Sequence, residues 1–294
     1  ILECLETLSS PAPRGRERQK RCRRLMMIGE AHFRWQRFFS PAAVLQIFVV
    51  LIVFDALAQP QTKSEREAGE EIVAVYLGAA PLTQNVNLNR YVSLVGTRVA
   101  SKSDRSDLAW TFGVLASGSV NAFSAPGGYI LVTEGLLRML DTEDELAAVL
   151  AHEVAHVVRQ HHWKIIQKQQ QATALVAKMQ GNMKTRNELF TDMNSLFSDM
   201  MTRGLDKSAE FEADRDAMIL AANAGYDCTA IFSLLSKLED LKGSSESSSL
   251  IFQTHPSPAQ RMDELSAAVV PELDSCATLS PAAGRYQRYV QSDP

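Results

Sequence analysis

The segment His152-Glu153-Val154-Ala155-His156 lies within a helix-forming run and constrains the fold more than any other feature. Thr142-x-x-Glu145 has the form of a capping box that opens a helix. Leu146, Val149, Leu150, Val154, Val157 and Val158 supply an apolar side at helical spacing. Four residues advance a helix by about 400°, so His152 and His156 stand about 40° apart and one turn from each other. Two imidazoles in that arrangement can share one tetrahedral Zn²⁺, with Glu153 beside them as a general base rather than a ligand. Two histidines do not complete a site, so the chain must fold to bring a third ligand to this helix.

Two candidates compete for that place. His162 fits H-E-x-x-H-x-x-G-x-x-H except that Arg159 stands where Gly is needed. With Arg159 there, and helical pattern continuing to Lys164, His162 falls about 240° around from His156 and His161 about 140° off. The spacing therefore predicts a solvated polar face for Arg159, His161 and His162. The other candidate is Glu210 in Glu210-Phe211-Glu212-Ala213-Asp214. Glu210 would complete a His₂Glu site. Asp214, one turn on, would accept the free ring N–H of a ligand histidine and fix its tautomer. The small Ala213 would allow close helix approach, and Glu212 would face outwards. Glu210 and Asp214 are otherwise ordinary surface acids.

A third cluster is His255-Pro256-Ser257-Pro258-Ala259-Gln260-Arg261. Pro258 suits a helix start. His255 is expected near the metal, where it would stabilise an oxyanion or occupy the open metal position at rest. Arg261 is expected to pair with Asp214 or Glu212.

Upstream, residues 62–80 read as a helix with Ile72, Val73 and Tyr76 on one stripe, and 86–100 as a second. Strand-like runs follow at Ala109–Leu115, Val120–Ser124 and Tyr129–Thr133, with Pro126-Gly127-Gly128 as a turn between the last two. Helical patterns then continue, so the fold class is α+β, mainly helical with a small sheet beside the metal-binding helix. Residues 179–204 and the Ser-rich 243–249 flank the ligand positions and are candidates for a gate or for plain loops.

Charge divides the chain. Residues 1–58 hold nine Lys/Arg and five Asp/Glu, leaving 21 basic and 29 acidic residues in 59–294. An acidic main part argues against nucleic-acid binding. The basic cluster from Arg14 to Arg24, the apolar run Ala42–Phe54 and Ala56-Leu57-Ala58 describe an export signal cleaved after Ala58. Residues 1–25 read as an extension ahead of a start at Met26 or Met27. The rival is an uncleaved membrane anchor, although spanning takes about 20 apolar residues. The expected organisation is 1–58 extension plus signal, 59–270 catalytic domain and 271–294 C-terminal tail, with a periplasmic or secreted location. Cys228 and Cys276 remain after cleavage, either as a disulfide or as two unrelated buried thiols.

His152-Glu153-x-x-His156, Glu210-x-x-Ala213-Asp214 and His255-Pro256-(four residues)-Arg261 occur in an order that resembles the zinc metallopeptidase family of the CAAX prenyl endopeptidase and HtpX. Asn121–Val132 is similar to that family's strand before the metal helix, and the likeness spans about 65–270. It is nearest to the periplasmic subgroup of LoiP and the protease part of BepA. The resemblance implies a gluzincin-type zinc endopeptidase with one Zn²⁺ held by His152, His156 and Glu210, and with Glu153 as base. A polypeptide substrate would pair along an edge strand near Val120–Ser124, touching Asn121 and Phe123, which otherwise read as a strand-end turn residue and a core aromatic. The alternative function is a metal-stabilised periplasmic chaperone or scaffold that does not hydrolyse what it binds.

Overall fold

The structure, a computed structural model, describes residues 64–180, 205–242, 251–252, 255–269 and 283–291. Contacts separate Ile1–Thr62 from a compact unit, Lys63–Pro294. The leader pattern over 1–58 and the candidate gate at 243–249 lie outside the described residues, as does the candidate gate at 179–204 from residue 181 on. Within them, no helix is long and apolar enough to cross a membrane.

Helix α1 (Glu65–Ala79) starts from a full capping box, Ser64 with Glu67, and α2 (Val86–Ala100) from the Asn85 side chain, which accepts the Leu88 N–H. Strands β1 (Thr111–Leu115), β2 (Ala122–Ala125) and β3 (Tyr129–Thr133) form a mixed sheet in the order β1-β3-β2. β3 is parallel to β1 and antiparallel to β2. The β2–β3 turn has Gly127 and Gly128 at φ +81° and +97°, a region open mainly to glycine. β2 begins two residues later than the sequence pattern suggests. The reason is local: Asn121 Oδ1 accepts the Ala122 N–H, and the Thr133 hydroxyl donates to Ser119 O, so side chains build the strand start.

All of β3 is buried because the sheet is covered on both faces. Tyr129 and Leu131 join Ile72, Val73, Trp163 and Ile166 on one side, while Ile130 and Val132 join the main core on the other. A period of two thus becomes a continuous apolar run, as expected for a strand with two buried faces.

After the short α3 (Glu134–Met139), helix α4 (Glu143–Val158) runs through the centre, and every residue from Glu143 to Val157 is buried. It is not a one-sided amphipathic helix. Helices α6 (Lys207–Asn223), α7 (Ala230–Leu241) and α2 and the sheet surround it. The Thr142 hydroxyl accepts the Glu145 N–H, but the Glu145 carboxylate caps Asp141 N instead of Thr142 N and also takes Ser233 and Lys237. Half of the expected capping box is thus spent on docking α7.

The helix does not continue to Lys164. Arg159 ends it and Gln160 adopts φ +59°, so α5 (His161–Gln180) is a new helix with a new direction. A left-handed non-glycine residue costs about 1–2 kcal/mol, and several contacts offset this. Gln160 Nε2 donates to Glu65, Arg105 donates to Val157 O and forks onto Glu65, and Arg159 pairs with Asp216 at 2.5 Å.

Helix α8 (Pro258–Val269) closes against α6 and α7. The C-terminal residues Ala283–Tyr286 and the π-turn Gln287–Gln291 lie on the main core: Tyr286 is fully buried, and Tyr289 stacks on Tyr91. Glu143 accepts Tyr91, Tyr226 and both arms of Arg285. Burial opposes ionisation of Glu143, but Arg285 and Tyr91 outweigh it and hold its pKa below the usual carboxylate value. A folded-state pKa below the unfolded one stabilises the fold above the unfolded pKa, and this contribution is lost as pH falls through the folded value. Glu143→Gln is expected to lower stability by about 1–3 kcal/mol at neutral pH, with a smaller difference from wild type in acid. Urea melts at the two pH values read this directly, and an equal loss at both would remove the electrostatic part. Cys228 is disulfide-bonded; Cys276, its expected partner, lies outside the described residues.

Candidate metal centre and active site

Close packing between α4 and α6 builds the site. Ala147, Ala148, Ala151 and Ala155 on α4 and Ala213, Ala217 and Ala221 on α6 are all essentially inaccessible. Small side chains let the two backbones approach, which brings Glu210 of α6 over the histidine face of α4. His152 Nε2 and His156 Nε2 are 3.0 Å apart, and the two oxygens of Glu210 lie 3.6 Å from them, one facing each ring. His255, just before α8, places Nδ1 2.6 Å from Glu210 Oε2. Ligand atoms of all four residues lie within 4.8 Å of one another.

This cluster fits a tetrahedral metal. Bonds of about 2.0–2.1 Å imply ligand atoms about 3.3–3.5 Å apart, close to the separations found. Glu210 is completely buried, and its Oε1 has no hydrogen-bond partner. Burial opposes charge on Glu210, yet His255, His156 and His152 hold its pKa well below the ordinary value. An ionised buried carboxylate with an orphan oxygen calls for a cation.

The imidazoles point the same way. Asp214 Oδ1 lies 2.8 Å from His152 Nδ1. Arg261 Nη2 also approaches His152 Nδ1, but at 3.3 Å; the shorter contact is to the carboxylate, an acceptor, which favours a proton on Nδ1 and leaves Nε2 to face the centre. Burial and Arg261 oppose positive charge on His152, but Asp214 and Glu210 overcome them and raise its pKa to about 9, so the acids around this ring favour positive charge, a second proton that a metal on Nε2 would replace. Burial drives His156 well down and keeps it neutral.

Asp214 is fixed in turn by Arg261. The guanidinium forks onto it, Nε to Oδ2 at 2.8 Å and Nη2 to Oδ1 at 2.5 Å, with both residues buried. Burial would raise the Asp214 pKa, but Arg261 and His152 hold it far below the usual carboxylate range. This pair also ties the His255-bearing turn, through α8, to α6.

Glu153 is buried on the same helix and accepts no hydrogen bond from a described residue. With His152, His255 and Arg261 it borders a pocket walled by Leu136, Val149, Ile231, Leu234, Leu238 and Ile251. Asn121 is completely buried, with Oδ1 taken by Ala122 and Nδ2 unpartnered. Phe123 is half-buried on β2, one of the two edge strands, with its ring 4.2 Å from Tyr76.

The face expected to be solvated is not one. The break at Gln160 swings His161 back, and it is buried. Its Nδ1 lies 2.9 Å from His156 Nδ1, and its Nε2 lies 3.1 Å from Glu212. His162 is half-buried with its ring centre 5.7 Å from His156, and burial lowers its pKa to about 4. Only Arg159 is exposed, and it pairs with Glu212 and Asp216. Sequence reasoning missed His161 because helical angles were extended across a break, and a glutamine in the left-handed region gives little warning of one. The pair His161-His162 so close to the motif was the available signal.

A buried helix presenting two histidine nitrogens and a glutamate with no hydrogen bond from a described residue, crossed by a second helix that supplies a carboxylate, defines a metallopeptidase-like centre. The model of peptidase family M48 matches residues 87–269, and the chain belongs to that family. It is 29% identical over 205 residues to the mitochondrial metalloendopeptidase OMA1 of Schizosaccharomyces pombe, covering 70% of this chain and 60% of that protein. It is 28% identical over 205 residues to the beta-barrel assembly-enhancing protease of Escherichia coli strain K12, covering 67% and 42%. The Arabidopsis thaliana OMA1 metalloendopeptidase is 32% identical over 173 residues, 59% of this chain and 34% of that protein. The chain thus spans less than two thirds of the relatives it matches.

Proposed function

We propose that the chain is a zinc-dependent endopeptidase that hydrolyses internal peptide bonds of polypeptides, with one Zn²⁺ held by His152, His156 and Glu210. The observation that carries this is the convergence of those three donors with Glu153 on the same helix, beside a pocket and with no hydrogen bond from a described residue. Two imidazoles and a carboxylate suit zinc among the common metals. When bound, zinc supplies Lewis-acid polarisation of a carbonyl and makes a neighbouring water acidic near neutral pH.

The chain's own residues do the rest. Glu153 accepts a proton from the attacking water and returns it to the leaving amine. His255 donates a ring N–H to the carbonyl oxygen as negative charge develops. Asp214, locked by Arg261, keeps the His152 ring turned with Nε2 inward. The substrate lies extended beside β2, one of the two edge strands of the sheet, near Phe123. A side chain next to the scissile bond enters the apolar pocket. The leader pattern of residues 1–58 supports export; action on misfolded proteins of the cell envelope rests on analogy with the family.

Mapping the fragments of unfolded casein by mass spectrometry tests this. Internal cuts flanked by apolar residues are expected. A wild-type chain that binds casein, retains its zinc and leaves the casein intact would favour the scaffold alternative.

A further inference from the structure

His161 and Glu212 form a chain of contacts ending on a proposed metal ligand, and the proposed chemistry does not use them. The contacts run Glu212 Oε2 to His161 Nε2 at 3.1 Å, then His161 Nδ1 to His156 Nδ1 at 2.9 Å. The direction of each bond follows from valence. A carboxylate oxygen accepts, so His161 Nε2 carries the hydrogen. In a neutral ring the other nitrogen is then bare, so His161 Nδ1 accepts from His156 Nδ1–H. His156 is left with an unprotonated Nε2, the atom 3.0 Å from His152 Nε2 in the ligand cluster. The opposite tautomer of His156 would set a hydrogen where the metal lone pair must be.

From this geometry we infer that Glu212 and His161 act as a relay that fixes the tautomer and ring orientation of His156, which makes His161 a positioning residue for metal capture. The inference rests on the metal-site reading above. His152 reaches the same state through Asp214 directly, whereas His156 reaches it through an intervening imidazole. Arg159, bonded to Glu212 at 3.1 Å, holds the outer end of the relay. The break at Gln160 gives His161 its place, so the local strain serves the second ligand.

The test is zinc affinity of the full chain, measured by competition with a chromophoric chelator. Loss of such an outer partner typically costs 10–100-fold in metal affinity, and His161→Ala is expected to fall in that range. His161→Asn can put Oδ1 where Nδ1 stood, and is expected to stay within about threefold of wild type, since the acceptor is kept. Melting of the zinc-free proteins separates this from a folding defect. The tautomer is read independently by ¹⁵N NMR of the wild-type histidines, where His156 is expected to be protonated on Nδ1. Wild-type affinity in folded His161→Ala would overturn the relay, as would a His161→Asn as weak as Ala, or His156 protonated on Nε2. If wild type itself binds no zinc, the metal-site reading fails instead.

Discussion

Glu153→Gln is expected to bind zinc as wild type does and to cleave unfolded casein about 10³-fold more slowly, within the 10²–10⁴ range for a lost general base. The substitution is nearly isosteric and removes only the ability to take a proton. Glu153 is buried and accepts no hydrogen bond from a described residue, so no such bond is lost with its charge, only a coulombic attraction to Arg261. The carboxylate is also not among the four clustered ligand groups, so metal content is not expected to change. Zinc content, melting temperature and cleavage rate on the same preparation check all three points. Undiminished cleavage would remove Glu153 from the chemistry, and lost zinc would make it a ligand.

The second large effect concerns the third ligand. Glu210→Ala is expected to weaken zinc by more than the 10–100-fold typical of outer-shell changes, because it removes both oxygens that face the histidine nitrogens. His162→Ala is expected to leave zinc binding unchanged, since the ligand cluster does not include His162. The two variants form a pair. Zinc retained in Glu210→Ala and lost in His162→Ala would restore the three-histidine arrangement that the motif spacing also allowed.

Much of the site could be read from spacing because its parts sit on helices. One turn separates His152 from His156 and Glu210 from Asp214, and helical geometry fixes their faces without knowledge of the fold. The small Ala213 on α6 signalled close approach, and α4 and α6 do pack together through buried alanines. The α2 boundaries and the Tyr129–Thr133 strand also followed from periodicity. What could not be read was tertiary. The Val154 side of α4 looks amphipathic in sequence, yet the helix is buried all round because its polar residues find internal partners. The break at Gln160 is imposed by Glu65 and Arg105, distant in the chain. It reverses the expected fate of His161. Glu212 has an outward position, but an outward residue on α6 still meets α5 once α5 turns back.

The site depends on remote parts of the chain in the same manner. Arg261 on α8 forks onto Asp214 on α6 and also reaches His152 Nδ1 at 3.3 Å, and Arg105 caps the C-terminal end of α4 while pairing with α1. The buried Asp214–Arg261 pair joins α6 to α8 at the point where the His152 ring is held. Breaking such a pair leaves an uncompensated buried charge, so losses at these positions are expected to reach both metal binding and folding.

The most direct test is to titrate zinc into metal-free wild-type chain while following bound zinc and casein cleavage together. Cleavage is expected to be absent without metal, to rise in proportion to occupancy and to saturate at about one zinc per chain, as a single His₂Glu site requires. Cleavage by the zinc-free protein, or full zinc occupancy with no cleavage, would contradict a zinc-dependent endopeptidase.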